Sequence, residues 1–538
     1  MQFLIDKHIA STYNTDSLIS AIIALQYLGK GELKDSYLIA AEVFASKAIR
    51  YNISDSAYSF GEKEHHDLAK LSKKVIYHGF SDYIQKTIQL RDSDASDQEK
   101  EEFLQSIMME AKGSYFRGDG YVHQLIQIAE KLYKPFDEEI KAQFGFTFSC
   151  FEAVILYIVQ KYYPVIGTLA SKTTVKDAIK ALWRKITGSS VYTIMASRVT
   201  TEYRIYKSDL YARFPQDEVD AIFKELAIIP GECSLDPVGI EDFKPLYGKP
   251  FVDFGEYIYL PLPESSLLNL PKLFHYYFVS ETCFNKEIRG TYNNVRGAVV
   301  EELTIEYLSR LFPKDKIQQS LKYPKKQKTF EADVTVQDSD YTVLAECKAK
   351  ILVSASLNGS ITALKDDVYK AIGKAYEQAI RTVKHIQTGK PFYSEVAAKD
   401  VTLQDTAKKY ILCVNIEHFG FVPSEIKQYI TIDQDIPIPP LAINIYDLDI
   451  ITAECSDEAE FLQYIEFRVS SMDSLASIDE LEAFAYFRQH GMTKIRLAHN
   501  SQETIIPLNL MGSIDQKYQP IATAYVLSKS VEYPEHTA

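Results

Sequence analysis

Apolar positions along the chain change their spacing twice. From residue 14 to about 165 they recur at helical intervals. Asn14-Thr15-Asp16-Ser17 offers capping groups ahead of LISAIIALQYL, and further helical periods run over 99–113, 121–133 and 146–162. Turn signals at Ser54-Asp55, Asp92 to Asp97 and Gly118-Asp119-Gly120 separate them. From 170 to about 285 the pattern is mixed. It predicts two short helices around Pro215 (208–226), a hairpin around Gly255 and Pro-punctuated loops. From 286 to about 425 it alternates helix, strand, strand, helix, strand, which is α/β order. LAINIYDLDII (441–451) then reads as a further strand and 457–472 as a helix with acidic residues in its first turn. Four regions follow: a helical domain over 1–165, a mixed α/β linking domain over 166–285, an α/β core over 286–425 and a C-terminal α/β extension over 426–538 packed on that core.

The core carries the chemistry. In RGAVVEELTIEYLSRLF (296–312), Val300, Leu303, Tyr307 and Leu311 form one buried helical face, and Glu301 lies beside it. In FEADVTV (330–336), Phe330, Ala332, Val334 and Val336 alternate with Glu331, Asp333 and Thr335, so a strand sends Glu331 and Asp333 the same way. In YTVLAECKA (341–349), Glu346 and Lys348 share a face while Cys347 points back into the core. The five residues from Gln337 to Tyr341 suit a hairpin turn, and two antiparallel strands then bring Asp333 to Glu346 and Lys348. Such a set suits phosphodiester hydrolysis, which needs an attacking hydroxide and a stabilised pentavalent phosphate. Carboxylates holding Mg²⁺ or Mn²⁺ supply both. Asp333 and Glu346 are the expected metal ligands, with the carbonyl of Cys347 as a third and Glu301 completing the shell directly or through water. Lys348 orients the water or neutralises the phosphate.

Composition adds a constraint. The net charge is −14, which argues against a general affinity for nucleic acid and requires any such site to have a local basic patch. Two stripes offer one. Over 364–387, Leu364, Val368, Ile372, Ala375, Ala379, Val383 and Ile386 make a buried stripe, and Lys370, Lys374, Gln378, Arg381 and His385 run beside it. Lys322, Lys325, Lys326 and Lys328 cluster just ahead of the Asp333 strand. Lys325, Lys326, Lys328, Lys370, Lys374 and Arg381 are the expected phosphate contacts, which position without reading sequence. The short helices of 208–226 have helix-turn-helix order, but no basic recognition helix follows. His65-His66 do not share a helix face, so a surface run is expected rather than a metal site, and Trp183 is expected in the core.

The six cysteines are scattered, with neither a CxxC pair nor a disulfide framework, which fits a reducing cytoplasm. The amino terminus lacks the charged and apolar regions of a signal peptide. The most apolar stretch, Phe144 to Val159, is too short for a bilayer and reads as a buried core helix, so no membrane partner is expected.

Gly297 to Glu301 (G-x-x-x-E), Glu331 to Asp333 (E-x-D) and Glu346 to Lys348 (E-x-K), in this order, resemble the PD-(D/E)xK nuclease superfamily. The resemblance is to its restriction-endonuclease-like and nuclease-related (NERD-type) members, and it covers about a quarter of the chain. It implies an α/β nuclease core, a mixed sheet flanked by helices, below a large, mostly α-helical N-terminal region. It also implies Mg²⁺-dependent endonuclease cleavage of DNA, in restriction, repair or phage defence, with Asp333, Glu346, Lys348, Glu301 and Gln378 as catalytic residues. Gln378 matches the Gln-bearing helix that many members place after the E-x-K strand. The chain departs from the family in lacking a proline before Asp333 and in the long stretch from Ala349 to Ala363. RNA cleavage on the same fold, or a binding or sensing module with little activity, are the alternative readings. The N-terminal helical region is the expected docking surface for a second copy or a partner subunit.

Overall fold

The hairpin expected between 330 and 348 forms, and a mixed sheet is built outward from it. The computed structural model describes residues 15–28, 34–50, 85–90, 93–115, 118–163, 203–233, 244–325, 328–472, 475–477, 479–492, 504–505 and 510–531. His65, His66, Trp183 and Lys326 lie outside them.

The seven strands are β1 (Ile317–Lys325), β2 (Lys328–Gln337), β3 (Tyr341–Lys348), β4 (Phe392–Ser394), β5 (Lys399–Val401), β6 (Lys408–Asn415) and β7 (Leu441–Asn444). Their order is β7-β6-β3-β2-β1-β4-β5. β2 pairs antiparallel with both β1 and β3, whereas β6 runs parallel to β3 and to β7. Parallel neighbours need a crossover. Between β3 and β6 it contains α2 (Lys374–Ile386).

The sheet separates two cores. On one side Val343, Ala345, Cys347, Leu412 and Val414 join Val299, Val300, Leu303 and Tyr307 of α1 (Lys286–Leu308). On the other, Leu344, Ile411 and Cys413 join Ala375, Ala379 and Val383 of α2. Every member of the predicted 364–386 apolar stripe is buried there. Two consecutive four-residue steps, Leu364 to Val368 to Ile372, overshoot the 3.6-residue period. A single π-helical turn, Tyr369–Gly373, lies in this stretch and absorbs the excess.

Two expectations fail locally. Phe330 and Ala332 were expected to share a face with Val334 and Val336, but the first pair packs against the α2-side core and the second pair joins the α1 side. The chain changes face at Asp333. Opposite it, Ser320 has a left-handed backbone (φ 50°), and the β1–β2 ladder pairs Gln319 with Val334 and Leu321 with Ala332 while skipping the residues between. The second failure is 441–451, which is a strand only to Asn444. The Asn444 side chain accepts the Asp447 amide at 2.8 Å and starts α3 (Ile445–Glu454), so a cap overrides the apolar run.

Helices Asp97–Tyr115, Val122–Tyr133 and Phe148–Tyr163 occupy the expected N-terminal periods. The apolar run that reads as a core helix is buried, from Phe148 to Val159 on its inner face. Among the described residues no single helix is long and apolar enough to cross a membrane, although the bent pair Val122–Phe144 and Phe148–Tyr163 passes on combined length and composition. The short helices Lys207–Tyr211 and Gln216–Leu226 flank Pro215, and Gly255 (φ 89°) turns the hairpin of Phe251–Asp253 and Tyr257–Tyr259. The second short helix is committed to packing: buried Glu218 accepts the Thr147 amide at 2.9 Å and pairs with Lys141. α4 (Glu458–Ser470) fills the predicted 457–472 helix, and α5 (Glu480–His490) follows it. All six cysteines are free.

Candidate active site

The β2–β3 ladder closes at Val334↔Ala345, where β2 begins its change of face. Beyond that pair the backbone no longer satisfies Cys347, and the Asp333 carboxylate takes over: its Oδ2 accepts the Cys347 amide at 2.8 Å. The same oxygen lies 3.4 Å from Lys348 Nζ, and Oδ1 accepts from Gln378 Nε2 at 2.8 Å. Gln378 also donates to the Glu331 carbonyl (3.0 Å), and its Oε1 accepts from Lys348 (3.1 Å). One amide on α2 thus ties β2 to β3 and fixes both Asp333 and Lys348.

Glu346 is 1% exposed, and its Oε2 has no hydrogen-bond partner. Burial first, then the Asp333 carboxylate, pushes its proton affinity well above the glutamate range, against the pull of Lys348. Glu301 is half-buried on α1. Burial, then Asp333 and Glu331, raise it to about 7, with Lys348 opposing. Burial pulls the Lys348 ammonium down, but Asp333 and Glu346 outweigh it and the net shift is upward, so Lys348 is charged. Cys347 faces the α1 side, where its thiol meets Thr304 Oγ1 at 3.4 Å, and burial raises its pKa.

Asp333, Glu346, Lys348 and Gln378 therefore converge, with Glu301 in electrostatic range. The Cys347 carbonyl does not stand free as a ligand, because Lys348 Nζ donates to it at 2.9 Å. A side chain is not excluded by packing at Gly297: a Cβ there would meet nothing within 4 Å. The donor set fits a hard divalent cation. Two carboxylates meet at one point, and one of them has a buried oxygen with no partner, which is costly unless a proton or a cation satisfies it.

The basic stripe is only partly available. Lys370 pairs with Asp366 at 2.6 Å and Lys322 pairs with Glu395. His385 stacks on Tyr323, with ring centroids 4.6 Å apart. Arg381 lies over the Phe330 ring (5.1 Å) with Glu377 at 4.0 Å. Lys374 and Lys328 are exposed, and Lys325 ends β1 opposite Lys328.

A second cluster escaped the sequence reading. His418, Asp447 and Asp479 place one ligand atom each within 4.8 Å of one another, beyond the C-terminal ends of β6 and β7. No local motif marks it, since its members come from three separate segments. Comparison with known protein families, curated proteins and solved structures finds no match for this chain.

Proposed function

We propose that the chain is a metal-dependent endonuclease of the PD-(D/E)xK kind that hydrolyses DNA, in the setting its motifs imply, defence against phage or foreign DNA. The observation that carries this reading is the convergence of Asp333, Glu346, Lys348 and Gln378 at the point where β2 leaves β3. A bound Mg²⁺ or Mn²⁺ supplies a hydroxide at neutral pH and charge neutralisation at the phosphate. Asp333 and Glu346 would hold it. Lys348 is charged and a quarter exposed, placed to meet a non-bridging phosphate oxygen. Glu301, with its carboxyl poised near neutrality, is suited to take a proton from the attacking water. Gln378 touches no substrate in this scheme; it holds Asp333 and Lys348 in place.

Full-length protein with Mg²⁺ or Mn²⁺ should nick supercoiled plasmid. Lys348→Ala and Asp333→Ala should each lower the rate by roughly 10²–10³-fold or more, with circular dichroism and Tm showing an intact fold. Robust cutting by both variants rejects the assignment. RNA offered in the same assay separates a ribonuclease from a deoxyribonuclease.

The acidic net charge of −14 and the three quarters of the chain outside the nuclease segment favour a second reading, a binding or sensing module with little chemistry. DNA binding unchanged by chelation and by Asp333→Ala, without cleavage, would support that reading instead.

A further inference from the structure

The His418–Asp447–Asp479 cluster lies in a densely charged part of the interior. Lys112 and Lys272 serve Asp119 (3.8 and 2.7 Å), and Lys272 also serves Glu417 (2.8 Å). Arg468 serves Glu480 through two bonds, at 2.6 and 2.9 Å. These groups balance: three cations face three anions. Asp447 and Asp479 are left over. Among the described residues neither has a Lys or Arg ion pair, and the other charges near Asp479 are the carboxylates of Glu480, Glu482 and Asp515. Asp447 receives only the Asn444 amide, and Asp479 Oδ1 the Leu481 backbone N–H at 2.8 Å. Two surplus carboxylates, the buried Asp447 and the part-exposed Asp479, therefore lie side by side, which is unfavourable unless protons or a cation of charge two neutralise them.

Two further observations separate those options. The carboxylates do not stand alone: His418 puts a ring nitrogen within the same 4.8 Å. Its Nδ1 accepts a backbone N–H, so that nitrogen carries no proton and the ring is in the neutral form that ligates metals. The Gly420 amide donates to Nδ1 at 3.1 Å and is the contact that ligation at that nitrogen would displace. Second, Asn415 is 2% exposed and its Oδ1 has no partner. It lines, with His418, Asp447, Glu417 and Glu480, a small cavity about the size of one water or ion, and Asp479 approaches His418 and Asp447 from outside that lining. Protonated aspartates or a water could each satisfy part of this set, whereas one divalent cation answers the two carboxylates, the imidazole nitrogen and the unpaired carbonyl oxygen together.

We propose that His418, Asp447 and Asp479 bind a divalent transition-metal ion of the Zn²⁺ or Mn²⁺ class, with the Asn415 carbonyl as a further oxygen donor. The mixed nitrogen and oxygen set, without thiolate, suits those ions. The site is structural. It cross-links the segment after β6 (His418), the first turn of α3 (Asp447) and the N-cap of α5 (Asp479), so it clamps the C-terminal extension to the sheet edge. This centre shares no residue with the Asp333 site, although Asn415 pairs with Lys348 across β6 and β3, and it does not depend on the nuclease reading.

The test is elemental analysis of the full-length protein, grown with Zn²⁺ and Mn²⁺ and dialysed without chelator. Wild type and Asp333→Asn should each retain about one equivalent of metal, and the Asp447→Asn/Asp479→Asn double variant should lose it. Dipicolinate should lower the Tm of wild type and of Asp333→Asn by roughly 5 °C, and leave the double variant unmoved. Metal content equal in wild type and the double variant would overturn the proposal. So would metal lost from Asp333→Asn but kept by the double variant. Should the double variant not fold, chelation of Asp333→Asn protein decides alone: bound metal with a Tm lowered by dipicolinate supports the site, and the absence of both overturns it.

Discussion

The same sheet carries two carboxylate clusters, and they differ in how their charge is balanced. At the β2–β3 end, Asp333 and Glu346 share a lysine of their own, Glu301 is half-buried, and Lys348 keeps a quarter of its side chain in solvent. At the β6–β7 end, His418, Asp447, Glu480 and Arg468 lie at or below about a tenth exposure, Asp479 is part-exposed, and each nearby cation is committed to another anion. Burial raises carboxyl proton affinity in both places. A cluster with a part-exposed lysine of its own can admit a phosphate, whereas one whose nearby cations are all committed elsewhere has to be neutralised within the fold. Substitutions should therefore act on turnover at the first and on stability at the second.

The largest expected effect tests the β6–β7 end. Glu480→Gln leaves the buried Arg468 guanidinium without its charge partner, and should cost about 3–5 kcal/mol of unfolding free energy in denaturant titrations. Cleavage per folded molecule should hold near wild type. A rate that falls in parallel with stability would erase the distinction between the ends.

A smaller effect sharpens the β2–β3 end. Gln378→Ala removes the amide that holds Asp333 and Lys348, and should lower kcat by roughly 10–100-fold while Tm changes little. Because Gln378 acts through its neighbours, Gln378→Asn or →Glu should recover activity only so far as it restores the contact with Lys348, and the pH profile should move with it. Unchanged kinetics in Gln378→Ala would remove α2 from the site.

The smallest effect is on pH dependence. Glu301 has a folded-state pKa of about 7, above its ordinary value of 4.5, so the folded state binds more protons than the unfolded chain between those values. Its contribution to stability is intact below about 4.5 and is lost as pH rises towards 7, with no further change above. In metal-free buffer Glu301→Gln should flatten part of that decline, with Glu346 supplying the remainder in the same direction. Cleavage in wild type should rise with pH as Glu301 becomes able to accept a proton, with the bound cation moving that limb below the metal-free value, and Glu301→Gln should lose it. A pH–rate profile identical in both proteins would take the proton-accepting role away from Glu301.

Much of this was legible in the residue order. The hairpin of β2 and β3, the stripes on α1 and α2, and the E-x-K face follow from periods of 2 and 3.6 residues, which are local properties of the chain. So was the pairing of Asp333 with Glu346 and Lys348, since a five-residue connection fixes the register within narrow bounds. The strand at 441–451 misled because a four-residue strand and the first turn of a buried helix are equally apolar; the Asn444 cap that divides them depends on a side-chain conformation.

The sequence by itself determined which residues lie on which face of each element, and hence which groups were available for chemistry. Tertiary structure decided three things. Ser320 and Asp333 change the face of β2 midway, so that an acidic side chain replaces a backbone partner for Cys347. The π turn before α2 keeps Gln378 in reach of Lys348. Folding also brought His418, Asp447 and Asp479 together from segments about thirty residues apart, in an interior where their charges are unbalanced. The physical reason is the range of the interactions involved. Periodicity arises from neighbours a few residues away, whereas desolvation and charge balance are set by whatever the folded chain places within a few ångströms.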